Sequence, residues 1–304
     1  MTLKISLIIP TRNRIDCTIK CVESVLNQTI IPDEIIIVDA SDTEILNLEI
    51  KNHFNPIKTK IKYLHTKQGL TFQRNIGIKN SSGDIIFFFD DDVILENDFI
   101  KEILKIFEND PDKKIGGVMG NITNITRHKQ SRIDSYLHNI FFLSNYGGGK
   151  FKPSGFATWV HGCDKIKNTE FLSGCDMAFR RKVLNEFKFD ENLKNYCYME
   201  DVDFSYRVSR KYQNIYTPYA KVKHMSSFGG MNNYDIMRMR VINHYYLFKK
   251  NFPQTLKHRF AFYMSICGLF LMNIKYLNIH RLRGILSGLF FILKSRNSHP
   301  PIRN

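Results

Sequence analysis

Four short apolar runs, each closed by polar residues, constrain this chain more than any other feature. They are KISLIIP (Lys4–Pro10), DEIIIVDAS (Asp33–Ser41), IKYLH (Ile61–His65) and DIIFFFDDD (Asp84–Asp92). Each is too short for a helix and rich in β-branched or aromatic residues, as expected of strands buried on both faces. Helical spacing fills the gaps. Ile15, Ile19, Val22 and Val25/Leu26 share one face, and a second helix opens near Thr71 and stops at Asn80-Ser-Ser-Gly83. In ENDFIKEILKIF, Phe99, Ile103, Leu104 and Phe107 form a stripe behind a cap at Asn97 or Asp98. The alternation predicts an α/β fold with a mixed, mostly parallel sheet flanked by helices. Such sheets bind ligands at the carboxyl ends of their strands. The tips Thr11–Asn13, Asp39–Asp42 and Asp90–Asp92 should therefore share one edge.

Beyond Gly116 the pattern loosens. Asn145–Gly174 is glycine-rich and carries the single tryptophan, Trp159. RRKVLNEF and MEDVDFSYRVSRKY read as helices, NIYTPYAKVKH as a strand, and the chain after Asn233 as helical. At 304 residues and 43% hydrophobic, with no linker or repeat, a large core is affordable. The first ten residues read as a strand rather than a signal peptide. The six cysteines contain no CxxC pair and no zinc spacing, so a cytosolic chain with reduced thiols is expected. The sequons at Asn121 and Asn124 would then go unused.

The net charge of +15 is unevenly placed. Residues 205–304 hold 17 Lys/Arg and one acid, Asp235, whereas residues 1–204 hold 27 Lys/Arg and 28 acids. A cationic last third points to an anionic partner or to a solvated basic face.

Four constellations could carry chemistry. In an extended strand end, Asp90 and Asp92 share a face and Asp91 points away. Two carboxylates so placed can hold Mg²⁺ or Mn²⁺, and an exposed loop tip is the plain alternative. Glu200, Asp201 and Asp203 open a helix, where they either complement its dipole or supply a general base. His224 leaves a strand end, as a structural residue or a metal ligand. Arg74 in TFQRNIG is a surface arginine or a phosphate contact.

Taken in order, SLIIPTRNR, EIIIVDAS, QRNIGI, FFFDDDV, FLSGCDMAFRR, EDVDFSYR and KVKH resemble glycosyltransferase family 2, with the GT-A fold, over about residues 3–230. The DDD triplet and the later ED…H are most similar to rhamnosyl- and galactofuranosyl-type members. The resemblance implies a nucleotide-binding part over about 1–120, an acceptor part over about 121–230, and a basic helical extension over 231–304. It implies that Pro10, Thr11, Arg12 and Asp39 hold the base and ribose, with Arg74 near the base or diphosphate. Asp90 and Asp92 match a DxD motif that binds metal and donor diphosphate, and Asp91 between them is counted with the nucleotide-sugar contacts. Asp201 matches the acceptor base, with Glu200 beside it, and His224 a metal ligand. Gly174, Cys175 and Asp176 match the sugar and acceptor pocket, to which the loop bearing Trp159 would contribute. Where members read VDDGS or VDNGS, this chain reads VDASD, so base recognition should differ in detail.

The implied activity is inverting transfer from a nucleotide-diphospho-sugar, a UDP- or dTDP-sugar, to a saccharide or lipid-linked acceptor in cell-surface polysaccharide or glycolipid assembly. A sugar nucleotidyltransferase would need a glycine-rich basic loop after the first strand, and PTRNRID has no glycine. A nucleic-acid binder is the other alternative, but the basic tail is equally apolar and carries no nucleic-acid motif. Within Arg259–Leu277 the apolar centre, Phe260–Met272, is short for a membrane span of about 20 residues. With Lys257, Arg259, Lys275, Arg281, Arg283, Lys294 and Arg296 around them, the last helices suit the inner face of a membrane, as peripheral elements on an anionic leaflet. Packing on the catalytic core is the alternative.

Overall fold

The computed structural model describes residues 3–54, 59–124, 131–193, 197–225 and 232–296. The first part runs β1 (Ile5–Thr11), α1 (Ile15–Leu26), β2 (Glu34–Asp39), α2 (Ile45–His53), β3 (Lys60–His65), α3 (Leu70–Asn80) and β4 (Ile85–Phe89). There follow β5 (Val93–Leu95), α4 (Phe99–Glu108), β6 (Ile115–Ile122), α5 (Arg132–Ile140), β7 (Lys167–Thr169), β8 (Asp176–Arg180), α6 (Arg181–Glu186), α7 (Glu200–Ser209) and β9 (Gln213–His224). The C-terminal helices are α8 (Asn233–Asn251), α9 (Leu256–Lys275) and α10 (Ile279–Arg296).

The strands form one sheet in the order β3-β2-β1-β4-β8-β6-β9-β5, with β7 against β9. The β3-β2-β1-β4 half is parallel. β8 inserts antiparallel between β4 and β6, and β6 and β9 pair in parallel. This is the mixed sheet flanked by helices that the alternation predicts.

The side-chain alternation of β1, β2 and β4 explains why their apolar runs are unbroken, whereas β3, at the sheet's edge, is only part-buried and interrupted by Lys62, contrary to the expectation for IKYLH. Leu7, Ile9, Phe87 and Phe89 join Val22 and Phe99 on one face of the sheet. Ile8, Ile36 and Phe88 join Phe179, Phe189 and Phe204 on the other. Both faces need apolar residues, so FFF serves two cores at once. Each ring contributes roughly 1.5–3 kcal/mol by burial.

The expected cap of α4 is corrected. Asp98 is the N-cap residue, but its carboxylate makes no capping bond and instead accepts from Thr29 Oγ1 at 2.8 Å. The Gln28 side chain takes over, accepting from Ile100 N at 3.1 Å. A residue at the end of α1 thus satisfies the start of α4, and the two helices are locked together.

The C-terminal helices are joined firmly to the sheet domain. Met237, Val241, Phe248, Phe262, Ile266, Leu269 and Ile285 share a core with Leu143 and Phe156. Lys250 on α8 pairs with Asp190 at 2.5 Å and Asp203 at 2.9 Å, and Asn243 Nδ2 donates to Tyr198 O at 2.7 Å. The boundary expected at 230/231 lies outside the described residues. α9 is apolar on two sides. One faces the core; the other exposes Leu256, Phe260, Tyr263, Leu271 and Ile274. Among the described residues no helix is long and apolar enough to cross a membrane.

Candidate active site

The carboxyl ends of β1 and β4 open into a cavity of about 1080 Å³. Its wall includes Pro10, Thr11, Arg12, Asp90, Asp91, Asp92, Trp159, Gly174, Cys175, Glu200, Asp201 and His224. Residues far apart in the chain are therefore brought together much as the motif order suggests.

The aspartate triplet is not an extended strand end. β4 stops at Phe89, and Asp91 and Asp92 lie in a turn before β5. The turn nonetheless separates the carboxylates into two roles. Asp91 is buried and accepts from Thr11 Oγ1 at 2.7 Å and from Arg14 Nη1 at 2.6 Å. Burial raises its pKa to about 7, against the pull of Thr11 and Arg14. It fastens the end of β4 to the end of β1 and faces protein rather than ligand.

Asp90, Asp92 and His224 each offer a ligand atom within 4.8 Å of the others. Register puts them there: β5 pairs antiparallel with β9 so that Val93 opposes His224. His224 Nε2 lies 3.0 Å from Asp92 Oδ1. Burial opposes protonation of His224, but Asp92, Asp90 and Asp176 outweigh it and raise its pKa. Two carboxylate oxygens and an imidazole nitrogen form a donor set that suits Mn²⁺ or Mg²⁺ with open positions for phosphate oxygens. Bound there, a divalent cation would supply positive charge to a diphosphate leaving group.

Arg74 is fully buried. Its guanidinium donates to Glu200 Oε1 at 2.7 Å, Asp90 Oδ1 at 3.1 Å and Gly174 O at 3.0 Å. The expectation that Arg74 touches base or diphosphate is corrected: it is spent inside the protein, and it joins the Asp90–Asp92 turn to the start of α7. The two acidic constellations are thus neighbours. A side chain at Gly174 would place Cβ 3.0 Å from Arg74 Nη2 and 3.1 Å from Glu200 Oε1. Glycine there leaves room for the ion pair.

Asp201 is half-buried, and its carboxylate accepts from Gly174 N at 3.0 Å and Val202 N at 2.8 Å. Burial raises the pKa of Asp201, with Gly174, Arg74 and Val202 opposing. Burial and the charge of Asp201 raise Glu200 as well. Carboxylates of enhanced proton affinity facing a cavity suit general-base work.

Two further expectations are corrected. Asp39 is fully buried, held by Ser41 N at 2.8 Å and by the Tyr63 hydroxyl at 2.8 Å, and is not on the cavity wall. Ser41 in turn accepts from Asn13 N at 2.7 Å, so the unusual VDASD tip braces the loop after β1. Asp176 is also fully buried, beneath the wall rather than on it, and burial pushes its pKa well up. Arg12 lies at the rim, 3.5 Å from Asp42. Trp159 keeps 41% of its surface exposed and packs edge-on against Phe171.

Arg14, Arg238 and Arg240 line the cavity without having been singled out in the sequence. Arg14 stands two residues after Arg12 in the same PTRNRID run. The left-handed Asn13, with φ 54°, turns the chain between them, so spacing gave no sign of which arginine faces inward.

Residues 6–187 match the family described as glycosyl transferase family 2. The chain is 29% identical over 209 residues to a dolichyl N-acetyl-α-D-glucosaminyl phosphate 3-β-D-2,3-diacetamido-2,3-dideoxy-β-D-glucuronosyltransferase of Methanococcus voltae, covering 62% of this chain and 64% of that protein. It is 42% identical over 106 residues to an uncharacterized glycosyltransferase of Rickettsia bellii, covering 34% of this chain and 15% of the relative. The chain thus spans less than two thirds of either relative. Among solved structures it resembles a mannosyltransferase from Pyrobaculum calidifontis in complex with GDP-Man and Mn²⁺. There the TM-score is 0.62 at 13% identity, over 97% of this chain and 88% of that one. GalNAc-T7 with UDP, GalNAc and Mn²⁺ gives a TM-score of 0.63 at 15% identity, over 99% of this chain and 58% of that one. These two likenesses concern the fold. With a family match over more than half its length, laid on the sheet and cavity described above, this chain belongs to glycosyl transferase family 2.

Proposed function

We propose that the chain is an inverting, divalent-metal-dependent glycosyltransferase, using a nucleotide-diphospho-sugar and an acceptor hydroxyl. The observation that carries this is the meeting of Asp90, Asp92 and His224 in one cavity with Asp201. The acceptor oxygen forms a bond to the anomeric carbon, and the bond from that carbon to the diphosphate breaks. Asp201 takes the hydroxyl proton, and the diphosphate leaves with the electron pair. A single displacement inverts the anomeric centre and needs one base. The motif order favours a UDP- or dTDP-sugar and rhamnosyl- or galactofuranosyl-type transfer in cell-surface polysaccharide or glycolipid assembly. Calorimetric titration of UDP, dTDP and GDP with and without Mn²⁺ tests the reading. One nucleotide should bind at least about tenfold tighter with Mn²⁺. Affinity indifferent to metal for all three would refute it.

A second observation supports a membrane-surface location for this work. Leu256, Phe260, Tyr263, Leu271 and Ile274 form an exposed apolar stripe on α9, and Leu286, Phe290 and Leu293 one on α10. Lys257, Arg259, Lys275, Arg281 and Arg283 are exposed near them, while the side chain of Arg296 is outside the described residues. Apolar insertion beside cationic charge suits an anionic leaflet, in the cytoplasm for a chain of this kind. Both Phe260 and Leu271 are exposed, so Phe260→Ser/Leu271→Ser should fold normally. Its co-sedimentation with anionic vesicles should fall about tenfold or more. Unchanged sedimentation would defeat the proposal, as would a dimer that this variant splits without any vesicle binding.

A further inference from the structure

The cavity has a cationic wall, part of which the donor chemistry leaves unused. Arg12 is beside Asp42, and Arg14 is paired with Asp91 and Asp92. Arg238 and Arg240 on α8 also line the cavity, and among the described residues neither has an acidic partner. Asp235 lies on the same helix and the same wall, yet it forms no ion pair with either. Arg240 is half-buried, with its guanidinium carbon 5.2 Å from the centre of the Phe156 ring. Its Nε is buried and has no hydrogen-bond partner. Arg238 lies 5.3 Å from the Phe291 ring in the same manner. Burial, with Arg240 nearby, holds His244 neutral, its pKa lowered to about 3.

A half-buried guanidinium without a counter-charge is costly, and its orphaned buried Nε adds to that cost. A guanidinium held over an aromatic face can still offer its N–H edge to two oxygens of a phosphoryl or carboxylate group. The donor diphosphate does not need these arginines, because the proposed metal triad already serves it. α8 also belongs to the acceptor side: Asn243, one turn beyond Arg240, is bonded to Tyr198 O, three residues before Asp201.

We propose that Arg240, with Arg238 beside it, forms an oxyanion subsite for the acceptor, reading a phosphoryl or carboxylate group carried near the attacked hydroxyl. This deepens the transferase reading and rests on it for the word acceptor. A phosphoryl group would come from a lipid phosphate, and a carboxylate from an acidic sugar.

Octyl phosphate, methyl glucuronide and the uncharged octyl glucoside are titrated into the full chain in EDTA, then into chain saturated with Mn²⁺ and the nucleotide that binds best. Wild type and Asp92→Asn should bind one oxyanion probe alike. Arg240→Gln should bind it about tenfold more weakly, and Arg240→Lys should be intermediate. Octyl glucoside should show no dependence on residue 240. Preference for octyl phosphate identifies a lipid-phosphate acceptor, and preference for the glucuronide an acidic saccharide. Equal affinity in wild type and Arg240→Gln overturns the subsite, as does displacement of the probe by nucleotide and Mn²⁺. If Arg240→Gln melts early, Arg240→Lys decides: affinity unchanged from wild type counts against a planar fork. Loss of metal-dependent nucleotide binding in every protein, with oxyanion binding retained, would sink the transferase reading and leave the subsite standing.

Discussion

Asp201→Asn is expected to lower the transfer rate by about 10²–10⁴-fold while leaving Mn²⁺-dependent nucleotide binding intact. Asp92→Ala is expected to remove both. The contrast follows from what each carboxylate touches. Asp92 lies in the cluster with Asp90 and His224, the group that can hold a cation and through it a diphosphate. Asp201 accepts from Gly174 N and Val202 N and lines the cavity. An asparagine keeps that shape but cannot take a proton. Its neighbour Glu200 is less suited to the task, because its Oε1 is committed to Arg74 at 2.7 Å. Since burial raises the pKa of Asp201, transfer should fall on the acid side at a higher pH than an ordinary carboxylate would give. Isothermal titration with nucleotide and Mn²⁺, beside a transfer assay, separates the two variants. Identical loss of nucleotide binding in both would mean that Asp201 belongs to the metal cluster, and the assignment of the base would fail.

Arg74→Leu should be the most destabilising single change in the site, by about 3–5 kcal/mol. That corresponds to a melting temperature lower by very roughly 6–20 °C. The fully buried guanidinium is paired with Glu200 and Asp90 at 2.7 and 3.1 Å. Removing it leaves a buried carboxylate facing Asp201 and Asp90 without compensation. The penalty has a definite sign with pH. Without Arg74 the folded-state pKa of Glu200 moves further above its unfolded value near 4.5. A carboxylate raised in this way costs nothing when protonated and destabilises increasingly as pH rises past the unfolded pKa. Glu200 is already raised to about 8 beside Arg74, so it stays largely protonated in both proteins at acid and neutral pH, and the pH-dependent part of the loss should appear above about pH 8. Adding Glu200→Gln to Arg74→Leu should recover part of the loss at pH 9. A melting temperature within two or three degrees of wild type at pH 9 would show that the pair carries little stability.

Several elements were readable in advance for local reasons. The strands of DEIIIVDAS and DIIFFFDDD announce themselves because a strand buried on both faces must be apolar at every position. Helix α4 shows its stripe because Phe99, Ile103 and Phe107 face one core. The short strand β5, by contrast, has only Val93–Leu95 and borrows its order from β9. Helix α9 hides its amphipathicity, since a core-facing row and an exposed apolar row together leave no polar side. The fate of Arg74 was also hidden. QRNIGI looks like a surface helix, and only the arrival of Glu200 at the start of α7, beside Asp90, makes its arginine the centre of an ion-pair network.

The sequence by itself determined the alternating strands and helices, the acidic tips at their ends and the concentration of positive charge in the last third. These features depend on residues within a turn or a strand of one another, so periodicity and composition express them directly. The tertiary structure decided which polar groups face ligand and which face protein. It set His224 against Asp92, turned Asp91 to Arg14, buried Asp39 and Asp176, and left Arg240 beside Phe156 without a counter-charge. Those outcomes depend on strand register and helix docking across long stretches of chain, and a carboxylate reads the same in sequence whether its partner is a metal, an arginine or water.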